Sequence, residues 1–172
     1  SMTLQQALTT ALAQGLARID AQMLLLHTLG RASDDRAWLI THDTDTLPPA
    51  AQERFEALCQ RRLAGEPVAY LTGTKAFYGL ELQVDERVLD PRPDTETLVH
   101  WALHVLDEMS GAEAPRVLDL GTGSGAIALA IKAQRPAARV TATDASAGAL
   151  EVARVNADQL GPGPYTHLTL PT

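Results

Sequence analysis

The sequence carries a single cysteine, Cys59, so no internal disulfide can staple the fold. Set in a helical pattern, its thiol reads as a half-buried filler. Basic runs are also missing: the densest cluster is the pair Arg61-Arg62, and the formal net charge is −7. That balance argues against a primary DNA- or RNA-binding surface. No stretch reaches the length of an apolar membrane span, and the opening SMTLQQ has neither the positive start nor the apolar core of a secretory leader. A cytoplasmic protein without membrane contact is expected. His27 and His42 lie apart in sequence and outside any ligand-spaced cluster, so they read as surface or cap residues, and no metal is expected. Internal repeats and low-complexity tracts are absent as well.

What is present is a globular balance: 172 residues, 45% apolar and 20% charged, enough for one ordinary domain or two small ones. Residues 3–30 read as two helices broken at Gly15, with Ile19, Met23, Leu26 and Leu29 as the second stripe and Gly30 at the C′ position. Ser33 is placed to cap a short third helix carrying Trp38 and Leu39. Pro48-Pro49 opens a longer helix, its inner stripe Phe55, Leu58 and Leu63, that ends at Gly65. Beyond Glu66 the pattern changes to alternation, and a two-stranded hairpin turning near Gly79 is expected. Asp94 to Met109 is helical again, capped by Asp94 or Thr95, with Leu98, Ala102, Val105, Leu106 and Met109 on its buried face.

The chain is organised around residues 116–132, RVLDLGTGSGAIALAIK. A short apolar run, three alternate glycines and a helical run of small and branched residues give strand, turn and helix in succession. Such a turn brings backbone N–H groups and the positive end of a helix toward a ligand. A second strand, Arg139 to Thr143, ends in Asp144, about 20 residues past the glycines, where a carboxylate can accept from ribose hydroxyls. A helix follows, capped by Ser146, with Leu150, Ala153, Ala157 and Leu160 on one side. A nucleoside cofactor is implied, and two kinds remain open. Gly121, Gly123 and Ala126 satisfy a dinucleotide pattern and admit an NAD-binding oxidoreductase fragment. Asp119, inside the strand, favours a cationic sulfonium over a diphosphate.

The run DLGTGSG resembles the first motif of the class I methyltransferases, which bind S-adenosylmethionine. GEPVAYLTG at 65–73, DPRPDTE at 90–96 and DLGTGSGAIALA at 119–130, in that order, resemble the PrmC/HemK family, bacterial protein-(glutamine-N5) methyltransferases of peptide-chain release factors. The resemblance covers residues 4–160. It implies an α/β fold: a truncated Rossmann-like class I methyltransferase domain behind a small helical domain and a β-hairpin linker. The corresponding divisions are 1–65 for substrate docking, 66–93 for the linker and 94–172 for a partial S-adenosylmethionine-binding domain. It assigns the cofactor to Asp119, Gly121, Thr122, Gly123, Gly125 and Asp144, and the cleft lining to Arg92, Pro93, Asp94 and Glu96. Release factors are the implied partners, with transfer of a methyl group to the glutamine amide of their Gly-Gly-Gln motif. Asp90 departs from the pattern, since Ile or Val is usual there.

A larger departure is that no Asn-Pro-Pro-Tyr occurs in these residues. In the family that motif holds the glutamine amide, and nothing here replaces it, so no catalytic residue is assigned. Only two sheet strands are expected, and the closing GPGPYTHLTLPT shows no family resemblance and no helical periodicity. The expectation is therefore an incomplete copy of the enzyme, inactive alone. A non-catalytic release-factor-binding module is the alternative.

Overall fold

The computed structural model describes residues 1–109, 111, 113–160 and 166–169, with side chains through residue 160. The chain falls into two compact units, Ser1–Thr72 and Gly73–Thr172.

In the first unit, α1 (Leu4–Ala13), α2 (Arg18–Thr28), α3 (Arg36–Thr41), α4 (Pro49–Leu63) and α5 (Val68–Thr72) surround one apolar core. Local chemistry sets the ends. Thr3 accepts from the Gln6 N–H while the Gln6 side chain accepts from the Thr3 N–H, a capping box. At the end of α2, Gly30 N–H reaches His27 O and Arg31 N–H reaches Leu26 O, the paired closure of a Schellman motif. Gly65 and Glu66 repeat it on α4 through Arg62 O and Arg61 O.

The faces differ from the sequence reading in places. The inner stripe of α4 is Ala51, Phe55 and Cys59, at i, i+4 and i+8, and Leu63 is exposed. On α2, Ala21 and Leu24 to Leu26 are buried while Ile19 is exposed. The larger aliphatic residue had been assigned inward in both cases, but small residues let these helices approach closely. Cys59 is fully buried, and burial followed by the nearby Glu56 charge raises its pKa to about 11. Ser33 caps nothing: α3 starts after Asp35, without a side-chain cap. His42 ends that helix and stacks on Trp38, ring centroids 4.1 Å apart. The helical unit extends past residue 65 because Leu71 packs into its core. At five residues, α5 is too short to show a period in sequence.

In the second unit, β1 (Thr74–Phe77) and β2 (Leu80–Gln83) form an antiparallel hairpin. Tyr78 and Gly79 turn it with φ of 47° and 77°, the doubly left-handed pair of a two-residue I′ loop. α6 (Pro93–Glu108) follows, then β3 (Arg116–Leu120), α7 (Ala126–Gln134), β4 (Arg139–Thr143), α8 (Ala147–Gln159) and β5 (Thr166–Thr169). The sheet is parallel, in the order β3-β4-β5. It has three strands where two were expected. Residues 166–169 lie within the closing stretch read as lacking helical periodicity, and they pair with Val140 to Thr143 along the β4 edge. The rest of that reading, on 161–165 and 170–172, falls outside the described residues. α6 begins at Pro93, not at a polar cap, and buries Val99 and Leu103 while Leu98 and Met109 are exposed. Its packing partner is α7, whose small residues Ala126, Ala128 and Ala130 are buried with Leu129 and Ile131.

Candidate cofactor site

The parallel pair β3 and β4 places Asp119 and Asp144 at the carboxyl ends of neighbouring strands, with the glycine turn between β3 and α7 beside them. Carboxyl ends of parallel strands are where α/β sheets take up ligands. The turn is pinned by its own backbone. Thr122 N–H donates to Thr143 O at 2.9 Å, and Gly125 N–H donates to Thr122 O at 2.9 Å.

Side chains complete the cluster. Thr122 Oγ1 donates to Asp119 Oδ2 at 2.8 Å. Gly123 N–H donates to Asp144 Oδ2 and Ser146 N–H to Asp144 Oδ1, each at 2.9 Å. Ser146 Oγ in turn accepts from Ala149 N–H and caps α8. The structure thus joins four of the sequence-assigned cofactor residues, Asp119, Thr122, Gly123 and Asp144, in one hydrogen-bonded group. Gly121 and Gly125 flank it, at φ of 71° and 85°. Burial raises the pKa of Asp119 above the ordinary carboxylate value. The Thr122 hydroxyl and the Ala128 N–H act against that shift, and the Asp144 charge adds to it.

The segment assigned to a cleft leads into and opens α6. Arg92, Pro93 and Asp94 are exposed at the start of α6. Glu96 Oε1 accepts the Tyr78 N–H at 2.8 Å, and Tyr78 OH meets His100 Nδ1 at 2.8 Å. Glu96 therefore holds the hairpin turn against α6, a role its sequence position did not suggest. Nothing links Arg92 or Asp94 to the glycine turn by a hydrogen bond or ion pair among the described residues. Sequence reading also missed Asn156, a buried side chain of α8 that donates to Ser124 O. Among the described residues no group of three or more His, Cys, Asp or Glu could hold a metal, and no helix is long and apolar enough to cross a membrane.

Asp90, the departure from the family pattern, pairs with Lys75 of β1 at 3.3 Å, yet its buried Oδ1 has no well-formed hydrogen bond. An ion pair so placed is worth little as a pair and much when broken. Lys75→Met is expected to destabilise the chain by about 1–3 kcal/mol, leaving a poorly solvated charge behind. Adding Asp90→Ile should recover most of that loss. Urea unfolding of the two variants checks this, and a double variant no more stable than Lys75→Met would refute it.

Glycine turn, flanking strands and acids make a Rossmann-like nucleoside site, and the family models place it in a class I methyltransferase domain. The model described as PrmC N-terminal domain matches residues 3–73, and that of the methyltransferase small domain matches residues 101–166. The second match ends at Thr166, the first residue of β5. A release factor glutamine methyltransferase of Bordetella pertussis is 55% identical over 147 residues, 86% of this chain and 52% of the relative. One of Xylella fastidiosa is 52% identical over 155 residues, 90% of this chain and 54% of the relative. A solved structure, the human methyltransferase 10 domain containing protein, aligns with a TM-score of 0.47 at 19% identity, covering 55% of this chain and 43% of that one. The chain carries the PrmC N-terminal domain and a methyltransferase small domain, and it spans about half the length of the curated release factor glutamine methyltransferases it resembles.

Proposed function

We propose that the protein to which these residues belong transfers a methyl group from S-adenosylmethionine to the glutamine amide of a release factor, in the cytoplasm. The observation that carries the cofactor reading is the Asp119–Thr122–Gly123–Asp144 cluster at the ends of β3 and β4. Its chemistry fits a cation bearing a nucleoside. Asp119 is an acid kept in a partly buried place at a cost in ionisation, which a cationic ligand would offset. Asp144 already accepts two backbone N–H groups, and a carboxylate has about four lone-pair sites, so acceptor capacity remains for ribose hydroxyls. Gly121 and Gly125 let the backbone at the start of α7 approach closely. Bound there, S-adenosylmethionine would supply an activated methyl group on sulfur.

The helical unit is proposed to dock the release factor, and Arg92, Pro93 and Asp94 to line the approach to the cofactor. Glu96 would act by fixing the hairpin. The 172 residues contain no Asn-Pro-Pro-Tyr, the motif to which the family resemblance assigns the amide. Orientation of reacting groups contributes roughly 7–11 kcal/mol in favourable cases. Taken alone, this stretch is therefore expected to bind cofactor and turn over little. Calorimetric titration with S-adenosylmethionine, combined with methyl transfer to purified release factor, tests both halves. The expected result is cofactor binding by the 172 residues, with transfer only by a version as long as the relatives. Near-normal transfer by the short chain would refute the role given to the missing motif. A long version that binds release factor without transferring methyl, or that binds NAD instead, would refute the activity.

A further inference from the structure

Asn156 is the only buried polar residue of α8 among the described residues, 1% exposed in a helix face otherwise made of Ala149, Leu150, Val152 and Ala153. A leucine would suit that surrounding better, since burying an amide is favourable only when its hydrogen bonds are made. Here they are. Oδ1 accepts from Gln83 N–H at 2.6 Å, and Nδ2 donates to Gln83 O and to Ser124 O, both at 2.9 Å. Both Nδ2 hydrogens are used. Against Gln83 the side-chain amide bonds like a peptide group of an adjacent strand, to the N–H and the C=O of one residue. Against Ser124 it fixes a carbonyl in the middle of the glycine turn.

The Ser124 carbonyl belongs to the same peptide plane as the Gly125 N–H, which closes onto Thr122 O. One residue earlier, the Gly123 N–H is held by Asp144. The turn is thereby gripped from two directions, by Asp144 just past the end of β4 and by Asn156 on α8. Only the second grip reaches further: its other two bonds are to the last residue of β2, and Glu96 secures the same hairpin at its turn.

We propose that Asn156 is a positioning residue that couples the β1–β2 hairpin to the glycine turn and holds the turn in its ligand-binding shape. The ligand part rests on the S-adenosylmethionine reading; the coupling does not.

The test uses the chain of this sequence with three substitutions. Asn156→Leu keeps the branched outline of the side chain and removes all three bonds. Asn156→Asp keeps the acceptor but turns a carboxylate toward two carbonyl oxygens. Val152→Ala loosens α8 at a buried position away from the turn. Amide hydrogen exchange, thermal melting and calorimetric titration with S-adenosylmethionine are compared. In Asn156→Leu, exchange at Gly123 and Gly125 should rise about tenfold or more beyond that in Val152→Ala, the equivalent of about 1.4 kcal/mol of lost hydrogen bonding. Cofactor affinity should fall about tenfold in Asn156→Leu and change less than about twofold in Val152→Ala. Relative to wild type at the same pH, affinity of Asn156→Asp should recover as pH falls and the new carboxyl takes up a proton that it can donate to one of the carbonyls. Equal exchange at the two glycines in the Leu and Val variants, or an affinity of the Asp variant that keeps a constant ratio to wild type across pH, would overturn the proposal. If the Asn156 variants do not fold, the wild type decides. Both Nδ2 protons of Asn156 should exchange slowly, and exchange as fast as in an exposed asparagine would overturn it. A wild type that fails to bind S-adenosylmethionine would sink the functional reading, while the exchange comparison still judges the coupling.

Discussion

Asp119→Asn is expected to raise the melting temperature of the chain and to weaken S-adenosylmethionine binding about ten- to a hundredfold. Both effects have one source. Burial keeps the Asp119 carboxyl above its ordinary pKa, and the neighbouring Asp144 charge pushes the same way. The folded chain thus holds the Asp119 charge less readily than the unfolded chain does. An acid with a raised folded pKa adds its stability below the unfolded value and loses it as pH rises through the folded one. Asparagine removes that loss while its Oδ1 can still accept the Thr122 hydroxyl. The gain in melting temperature should therefore be largest at neutral pH and shrink as pH falls toward the ordinary carboxylate range. For a cationic ligand the same exchange deletes a charge-assisted contact, worth about 1.5–3 kcal/mol, which gives the factor in affinity. Wild-type affinity should fall on acidification through the raised Asp119 value, and that of the variant should respond less. Thermal melts and titrations at several pH values check it. A variant that melts lower and binds unchanged would show that Asp119 serves the fold and not the ligand.

Local signals were legible in the sequence and distant ones were not. The glycine turn, its two strands and the helices around it are written in adjacent residues, since a turn and a cap are decided within a few positions. Gly30 and Gly65 announce the ends of α2 and α4 for the same reason. Which side of a helix faces inward depends on what else is there. On α4 the sequence marks Phe55 as inward but not Ala51 and Cys59, and on α6 it misses Val99 and Leu103, in favour of larger aliphatic residues a position or more away. β5 is four residues long in a stretch rich in glycine and proline, and a strand that short gains its identity from the β4 edge it joins. Among site residues, Asp119, Thr122, Gly123 and Asp144 are within 25 positions of one another and form a pattern. Asn156 bonds to partners 73 and 32 positions away, and Glu96 to a backbone N–H 18 positions away. No spacing rule links such residues before the chain has folded.

Gly125→Ala should be the most damaging single methyl addition in the turn. Gly125 is the N-cap of α7 with φ of 85°, a region that costs a residue with a Cβ about 1–2 kcal/mol. Space adds to the strain. A Cβ there would lie 3.1 Å from Leu129 Cδ1 and 3.3 Å from the Ala153 Cβ. The leucine tip can rotate away, but the Ala153 methyl is fixed to the α8 backbone and yields only if the helix moves. Overpacking of a tight contact costs about 1–3 kcal/mol. The two terms give a destabilisation of roughly 2–5 kcal/mol, or at least about 8 °C in the melting of a unit of this size. Gly121→Ala is the control: its φ of 71° carries similar strain, but the added Cβ meets nothing within 4 Å. Its loss should be only the backbone part, about 1–2 kcal/mol. The difference between the two variants isolates the contact between the turn and α8. Ala153→Gly in the Gly125→Ala background should restore part of the loss, because it opens the space the new methyl needs, although glycine inside a helix itself costs about 1 kcal/mol. Equal melting temperatures for Gly121→Ala and Gly125→Ala would mean that the turn does not lie against α8 as described. A larger loss in Gly125→Ala, partly relieved by Ala153→Gly, would locate the third glycine's requirement in the packing of two helices against one turn.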